Sequence, residues 1–405
     1  MTKINLNLSL INSDNSSINK SQFIVIGAGL AGLLTAAALK KIGHQVLLLD
    51  GADFAGGSSR GVYSPNGLVD NGLKNFTSIN KNEDEQILNL LSMIIGEKLK
   101  LNYFENGPIT FKEGELKPFV GFGSHAPDFH KPLSYFLAPK RFNIEDQDGK
   151  LLTVHDIVSK LIHIVSDSFQ PRMLVTQIIS DATGEVNQLM INGSKLIQTS
   201  NVIYCGSPRQ FNQLFSGQNL TSKIKQKLSK GIYWTALCLD IFHKGEVTKH
   251  EEMHLLNGTT QDEIGPCVGL FHHINKDTGI QHSQWITYID SETAEDAEAV
   301  GHVLKKIKRQ IKRAYHTALD EIVSERIVVM PFTEAEIDLK LQESGLLPTF
   351  KNLWVASGSW SNKVNLWGTL SQISTIFNFE GIVQNKLAPD METFNNESNT
   401  PTELI

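Results

Sequence analysis

Three glycines and an acid are the first residues whose types and spacing could do chemistry. Gly27, Gly29 and Gly32 follow the apolar run 23–26 directly, and Asp50 stands 23 residues after Gly27, at the end of a second apolar run, 46–49. In this pattern the first glycine turns the chain, the second keeps a side chain away from an approaching pyrophosphate, and the third lets a helix lie close to a strand. A carboxylate at position 50 accepts hydrogen bonds from ribose hydroxyls and repels a 2′-phosphate, so the pattern points to a dinucleotide other than NADP. The candidate contacts in this stretch are Gly27, Gly29, Leu30, Ala31, Gly32, Asp50 and Gly51.

Other chemistries leave no trace of that kind. No Ser-His-Asp order, H-E-x-x-H or carboxylate pair stands out. Cys205, Cys238 and Cys267 are far apart and odd in number, which suggests neither a disulfide framework nor a metal site. The net charge of −6 and the balanced composition give no basic field for nucleic acid. No run of 18 apolar residues marks a spanning helix. Residues 1–21 and 389–405 are polar and read as a disordered arm and a flexible tail.

Two further blocks decide which dinucleotide. "GADFAGGSSRGVYSPNGLVDNG" places Gly56 and Gly57 soon after the acid, then Arg60 and an Asp70-Asn71-Gly72 turn. "NLWVASGSWSNKVNLWGTLSQISTIF" reads as a strand over 352–356, a turn over 357–360 and a helix over 369–377 led by Gly368. In this order the blocks resemble the FAD-dependent amine oxidase and phytoene desaturase superfamily. The resemblance implies that Gly56, Gly57 and Arg60 pass beside the pyrophosphate and flavin, and that Asp70 and Gly72 lie near the flavin ring. Val175 would contribute backbone contacts at the adenine end. Gly358, Ser359, Gly368 and Thr369 would sit where a helix N-terminus points at the flavin C2 carbonyl, stabilising charge on the reduced ring. Two departures are visible: Ser359 replaces the usual Asp or Glu, and Trp367 stands where Glu is frequent. No cysteine lies near the last block, so FAD is expected to be non-covalent.

These residues need a frame to position them. The expected fold class is α/β: a Rossmann-like FAD-binding domain, with a parallel sheet, helices and a β-meander, and an interleaved α+β substrate domain built on an antiparallel sheet. The expected boundaries are 22–72, 171–210 and 329–388 for the FAD-binding domain, and 73–170 and 211–328 for the substrate domain. Asp181 to Gly184 and Asn192-Gly193 are hairpin signals in the meander, and Glu113-Gly114 is another further upstream. The basic run from Lys305 to Arg313 carries apolar residues at helical spacing and reads as a solvated helix face.

The segments "GIYWTALCLDIFHKG", "GPCVGLFHHINK" and "SQWITYID" read as strands of the cavity wall, with Trp234, His272, His273, Trp285 and Tyr288 as candidate lining. Adjacent histidines on a strand face opposite ways, which excludes a metal pair there. Trp360, Asn365 and Trp367 are candidates beside the isoalloxazine, and no catalytic residue is assigned; Lys244 reads as a loop lysine. The expected molecule is a cytoplasmic FAD-dependent oxidoreductase that removes a hydride from a C–N or C–C bond of a small organic substrate such as an amine, with homodimerisation left open. The alternatives are a flavin-dependent isomerase or mutase without net redox, and a cofactor-binding partner protein that has lost catalysis.

Overall fold

A computed structural model describes residues 22–78, 80–121, 130–137, 140–215, 220–257, 267–360 and 365–379. The expected arm and tail lie outside the described residues. In chain order, the elements that position the site are β1 (Gln22–Ile26), α1 (Leu30–Lys41), β2 (Gln45–Leu49), α2 (Lys81–Ile95), α3 (Val154–Ile164), β3 (Phe169–Gln170), β4 (Asn201–Tyr204), β5 (Ile232–Lys244), β6 (Cys267–Phe271), β7 (Ile280–Ile289), α4 (Ala297–Ala314), β8 (Ile322–Glu336), β9 (Leu353–Val355) and α5 (Asn365–Phe379).

β1 lies inside a parallel five-stranded sheet of order β3-β2-β1-β4-β9. Phe23, Ile24, Val25 and Ile26 are all buried, because helices cover one face of the sheet and the meander the other. On the helical side, Leu33, Leu34, Leu91, Leu161 and Leu370 form one apolar cluster that joins α1, α2, α3 and α5. On the other side, Ile24 and Val202 pack against Ile178 and Leu189 of the meander and against Phe211. The meander strands are Val175–Ser180, Val186–Ile191 and Lys195–Gln198. Asn192 and Gly193 at its second turn take φ of 52° and 73°, the left-handed pair a two-residue hairpin requires.

The second sheet has seven strands, in the order β8, β5, β7, β6, then His254–Leu256, Ile109–Lys112 and Glu115–Pro118. Its strands alternate two apolar faces. One carries Leu237, Leu239, Ile241 and Trp285 and is covered by Val303, Ile307 and Ile311 of α4. The other carries Ala236, Cys238, Ile286, Tyr288 and Met330 and looks toward the glycine turns. The basic residues of α4 lie opposite its apolar stripe, as an amphipathic helix on a sheet demands.

Two boundaries differ from the sequence reading. The cofactor layer already includes residues assigned to the 73–170 substrate segment: α2 and α3 share its core, and β3 pairs in parallel with β2. In the other direction, β8 carries the antiparallel sheet on to Glu336, past the expected switch at 329. The last helix also begins earlier than Gly368. Leu366, Trp367, Leu370 and Ile373 are buried at helical spacing, and no breaker interrupts the turn before the glycine.

Trp367 is fixed by this packing. Its ring is 1% exposed, lies 4.9 Å from the Phe142 ring, and donates from Nε1 to Asp84 Oδ1 at 3.0 Å. Asp84, fully buried in the first turn of α2, also accepts from Ser78 and from Tyr103. A buried carboxylate is tolerated here because donors surround it. Trp367→Phe keeps the packing but removes one donor, and should cost about 1–3 kcal/mol in denaturant unfolding.

Candidate functional site: a glycine cradle facing an antiparallel sheet

The turn after β1 sits between β1 and β4, where the strand order of the parallel sheet reverses, the usual place for a ligand in such sheets. Gly27 turns the chain at φ +98°, and a Cβ on Gly32 would stand 1.7 Å from the Gly27 carbonyl oxygen. A Cβ on Gly29 would meet nothing within 4 Å, so open space lies in front of it. Gly29 is the N-cap of α1; it supplies no side-chain cap, and no acid occupies the first turn. The amides of Leu30 and Ala31 therefore open the helix without a side-chain partner, a disposition suited to an anion.

The second glycine pair closes on the first. Gly56 N donates to Ala28 O at 2.8 Å, and a Cβ on Gly57 would approach Gly29 Cα to 3.1 Å. Gly56 and Gly57 both take positive φ, 114° and 54°, which a larger residue there would resist. Asp50 accepts from Ala28 N at 2.6 Å and from Ala52 N at 2.8 Å, leaving carboxylate lone pairs for further donors. Gly51 packs against Leu174, and Val175 pairs with Ile191 at the start of the meander. Arg60 is exposed, with its guanidinium 4.6 Å from the centre of the Phe54 ring.

The Asp70-Asn71-Gly72 turn joins the two sheets. The Asp70 carboxylate accepts from the backbone N of His155 at 2.7 Å, at the first turn of α3, and pairs with His155 Nδ1 at 3.0 Å. That contact raises the His155 pKa against the opposing effect of burial. The Asp70 carbonyl accepts from Arg326 at 3.1 Å and from Gln284 at 3.3 Å, both on the inner face of the second sheet. Arg326 and Gln284 in turn hold Asp240, whose side chain is fully buried. Gly72, at φ +73°, presses so close that a Cβ would lie 2.8 Å from Cys238 Sγ.

Several candidate residues lie elsewhere than expected. Trp360 is 3% exposed in the core under the parallel sheet, and donates to Gly206 O at 3.0 Å. Trp367 faces α2, as described above, and Trp285 lies on the α4 side of the sheet with its Nε1 on Ser283 Oγ at 3.0 Å. All three tryptophans fill apolar cores, and Trp360 reaches the cradle only through Gly206, which lies against Gly27. Asn365 opens α5, and its side chain lies outside the described residues. Gly358 and Ser359 are buried in a short 3-10 turn, with the Ser359 hydroxyl 2.7 Å from that of Ser357. Gly368 and the buried Thr369 lie inside α5.

His272 remains exposed while its Nε2 stands 3.0 Å from Gln284 Oε1, on the inner wall; His273 points away, to Glu251 at 3.3 Å. Lys244 is a surface residue paired with Glu321 at 3.2 Å. Trp234 and Tyr288 do lie on the inner face. Trp234 stands opposite Glu334 in the β5–β8 register, and the Tyr288 hydroxyl is 3.5 Å from the Glu334 carboxyl. Lys74, two residues past the Gly72 turn, reaches Met330 Sδ at 3.7 Å. Sequence reasoning missed Lys74, Asp240, Arg326 and Glu334. Strand alternation could have found the last three: charged residues at inward positions of otherwise apolar strands are rare unless they have a partner or a task.

Comparison with known proteins bears on this geometry. The family described as "NAD(P)-binding Rossmann-like domain" matches residues 25–92. Among solved structures, an oxidoreductase from Methanosarcina mazei superposes with a TM-score of 0.65 at 11% identity, covering 88% of this chain and 100% of that one. Cyclohexylamine oxidase from Brevibacterium oxydans IH-35A gives 0.62 at 12% identity, over 90% and 99% of the two chains. The chain shares the fold of these two enzymes. A putrescine oxidase solved with putrescine gives 0.59 at 11% identity, over 90% and 99%. No curated protein matches the sequence. The parallel sheet with its glycine cradle and the facing antiparallel sheet are the two halves of this shared fold. Among the described residues, no helix is long and apolar enough to cross a membrane, and no three His, Cys, Asp or Glu side chains are grouped to hold a metal.

Two predictions follow from the cradle and the wall. Gly29→Ala, in open space and at an ordinary φ of −71°, should leave stability within about 0.5 kcal/mol while weakening dinucleotide binding at least tenfold. Gly32→Ala, which drives a methyl into the Gly27 carbonyl, should cost roughly 3 kcal/mol or more. Melting curves and dinucleotide titration separate the two effects. Burial raises the Glu334 pKa from 4.5 to about 8. The carboxyl therefore stays protonated in the fold while the unfolded chain ionises. This disfavours the fold increasingly as pH rises from about 4.5 to 8. Melting temperatures of Glu334→Gln and the native protein should coincide at pH 4, with the variant higher at pH 8.

Proposed function

We propose that this chain is an FAD-dependent oxidoreductase that removes a hydride from a C–N or C–C bond of a small organic substrate. The observation that carries this reading is the uncapped N-terminus of α1 inside a double glycine cradle, with a free approach at Gly29. The residues fit FAD. The open space and free amides suit a pyrophosphate, Asp50 keeps acceptor capacity for ribose hydroxyls, and the clamped Asp70 turn carries the chain from the cradle to the inner wall. Gly27, Gly29, Leu30, Ala31, Gly32, Gly56 and Gly57 would hold the phosphates, Asp50 the ribose and Val175 the adenine end. Arg60 would approach from the rim, and Gly358, Ser359 and Thr369 would meet the flavin end.

When bound, FAD supplies the hydride acceptor and passes the electrons on to dioxygen or another oxidant. The chain's own residues then have three tasks. Arg326 and Gln284 fix the Asp70 turn on the sheet, which sets the distance between the cradle and the inner wall. Ala236, Cys238, Ile286, Val328 and Met330 line that wall with apolar surface, which excludes water. Lys74, Tyr288 and Glu334 place donors and an acceptor on it for orienting a polar substrate. A non-covalent cofactor is supported by the cysteines. Cys205, Cys238 and Cys267 are free, and burial pushes their thiols up to about 12, so no reactive thiolate is available.

One observation favours a second reading, a protein that binds FAD without turnover: the Ser359 hydroxyl, expected on the ribityl chain, is paired with Ser357. The absorbance spectrum of the purified protein, followed by anaerobic additions of amines, amino acids and alkenes, decides between them. The oxidoreductase should be yellow and bleach with a substrate. A yellow protein that no substrate bleaches supports the second reading, and a colourless protein that takes up no FAD overturns both.

A further inference from the structure

On the α4 side of the second sheet, away from the glycine cradle, lies a cleft of about 780 Å³ that the oxidoreductase reading does not use. α4 presents Lys305, Lys308, Arg309, Lys312 and Arg313 to it, and His316 lines it just past the end of the helix. Its apolar part is Phe111 and Leu319, both half-buried and packed against the core between α4 and the sheet. The chain as a whole carries a net charge of −6, so this concentration of cations does not follow from composition.

The cations stand in register along the helix. Lys305, Lys308, Arg309 and Lys312 are three or four residues apart and share one side of α4 over about 10 Å. Like charges at that spacing repel one another. Glu325 of β8 pairs with Lys308, and Asp320 stands 3.8 Å from Lys312, a contact between exposed side chains that contributes little. Lys305 has no ion partner among the described residues. Arg313 is held from behind: its Nη1 donates to Oε1 of the buried Gln310 at 2.7 Å, and its guanidinium lies 6.0 Å from the centre of the Phe111 ring. An arginine fixed in this way, with lysines beside it, presents a preset fork of donors to a phosphate.

The surroundings select among polyanions. Glu113 and Glu115 flank Gly114 in the lining, while Asp320 and Glu325 lie against Lys312 and Lys308, so a long polymer such as nucleic acid would run into carboxylates. A bilayer fits no better. Val303, Ile307 and Ile311, the apolar stripe of α4, are buried on the sheet and cannot enter lipid. A compact ligand does fit, because the volume is that of a small-molecule site. Phosphate also suits the cations better than carboxylate, since each group brings nearly two negative charges and three acceptor oxygens.

We propose that this cleft binds a small soluble molecule carrying two or more phosphate groups. The phosphates would lie along Lys305, Arg309 and Lys312 and on the Arg313 fork, with the body of the ligand against Phe111 and Leu319. The site is on the face of the sheet opposite the inner wall, and the assignment does not depend on the oxidoreductase reading.

Isothermal calorimetry at physiological ionic strength, with FAD in excess, tests it. The probes are inositol hexakisphosphate and tripolyphosphate, which lack the adenosine that the glycine cradle would hold, with citrate as the carboxylate control. At least one phosphate probe should bind about tenfold or more tightly than citrate. Lys305→Glu should weaken that probe about tenfold or more, whereas Lys195→Glu, the same change of charge on the meander, should leave it within about twofold. Melting curves check that both variants fold; if Lys305→Glu does not, Lys305→Gln replaces it. No binding of either phosphate probe, citrate binding as tightly, or an equal loss in the two variants overturns the proposal. Tighter binding to phosphatidylserine-containing vesicles or to a single-stranded oligonucleotide than to the small probes, lost in Lys305→Glu, overturns it too. A protein that takes up no FAD sinks the oxidoreductase reading and leaves this titration valid, because the variants lie on α4.

Discussion

Asp70 is where the two halves of the molecule are tied together. Its carboxylate holds the first turn of α3 and the His155 ring, while its carbonyl is held by Arg326 and Gln284 on the second sheet. α3 in turn lies against the second glycine pair, with Val158 Cγ1 3.2 Å from the place of a Cβ on Gly56. One residue thus connects the cradle, through a helix, to the wall that faces it. A site assembled from two sheets needs such a fixed distance, because a positional error of about 1 Å is enough to cost orders of magnitude in a reaction between bound groups.

The clamp has its own support. Asp240 is fully buried beside Arg326, and burial pushes its carboxyl up while Arg326 and Gln284 oppose that shift. Breaking one partner of such a pair leaves an uncompensated charge, so the arrangement tolerates little variation. The same sheet treats its two faces differently. Against α4, two polar side chains are satisfied locally: His243 lies between the Ala318 carbonyl and the Ser283 hydroxyl, and Trp285 is bonded to the same serine. On the inner face Asp240 and Gln284 are satisfied by the clamp, whereas Trp234 Nε1 and His282 Nε2 are buried without a hydrogen-bond partner.

Local patterns made much of this architecture legible. The strand, glycine turn and helix at 22–41, the hairpin pairs at 113–114 and 192–193, and the long alternating strands over 232–244 and 280–289 were readable because each depends on short-range geometry. Long-range partners were not. Nothing local says that residues 154–170 return to the parallel sheet, since an amphipathic helix and a two-residue strand fit either domain. The tryptophans were misplaced for a similar reason. A large aromatic near a cofactor motif can line a cavity or fill a core, and only the packing of Phe142 around Trp367, or of Tyr204 and Phe211 around Trp360, separates these cases. Lys74 and Glu334 are 260 positions apart in sequence, and their shared wall exists only once β8 is in register with β5.

The two departures in the last block also look different in three dimensions. A glutamate at position 367 would face Asp84, already buried and held by Ser78 and Tyr103, and two carboxylates there would repel each other at low dielectric. Tryptophan supplies a donor instead and fills the space beside Phe76 and Phe142. This helix turns position 367 toward α2, so the substitution is accounted for by packing and removes no contact from the cradle side. Under the proposed function, Ser359 is the departure that would bear on cofactor chemistry. Its hydroxyl is paired with Ser357, a neutral hydrogen bond, and exchanging it for one to a ribityl hydroxyl costs little because both are of similar strength. Under the proposed function, the far end of the site would offer a polar contact without a charge, and cofactor binding would rest more heavily on the glycine cradle and Asp50.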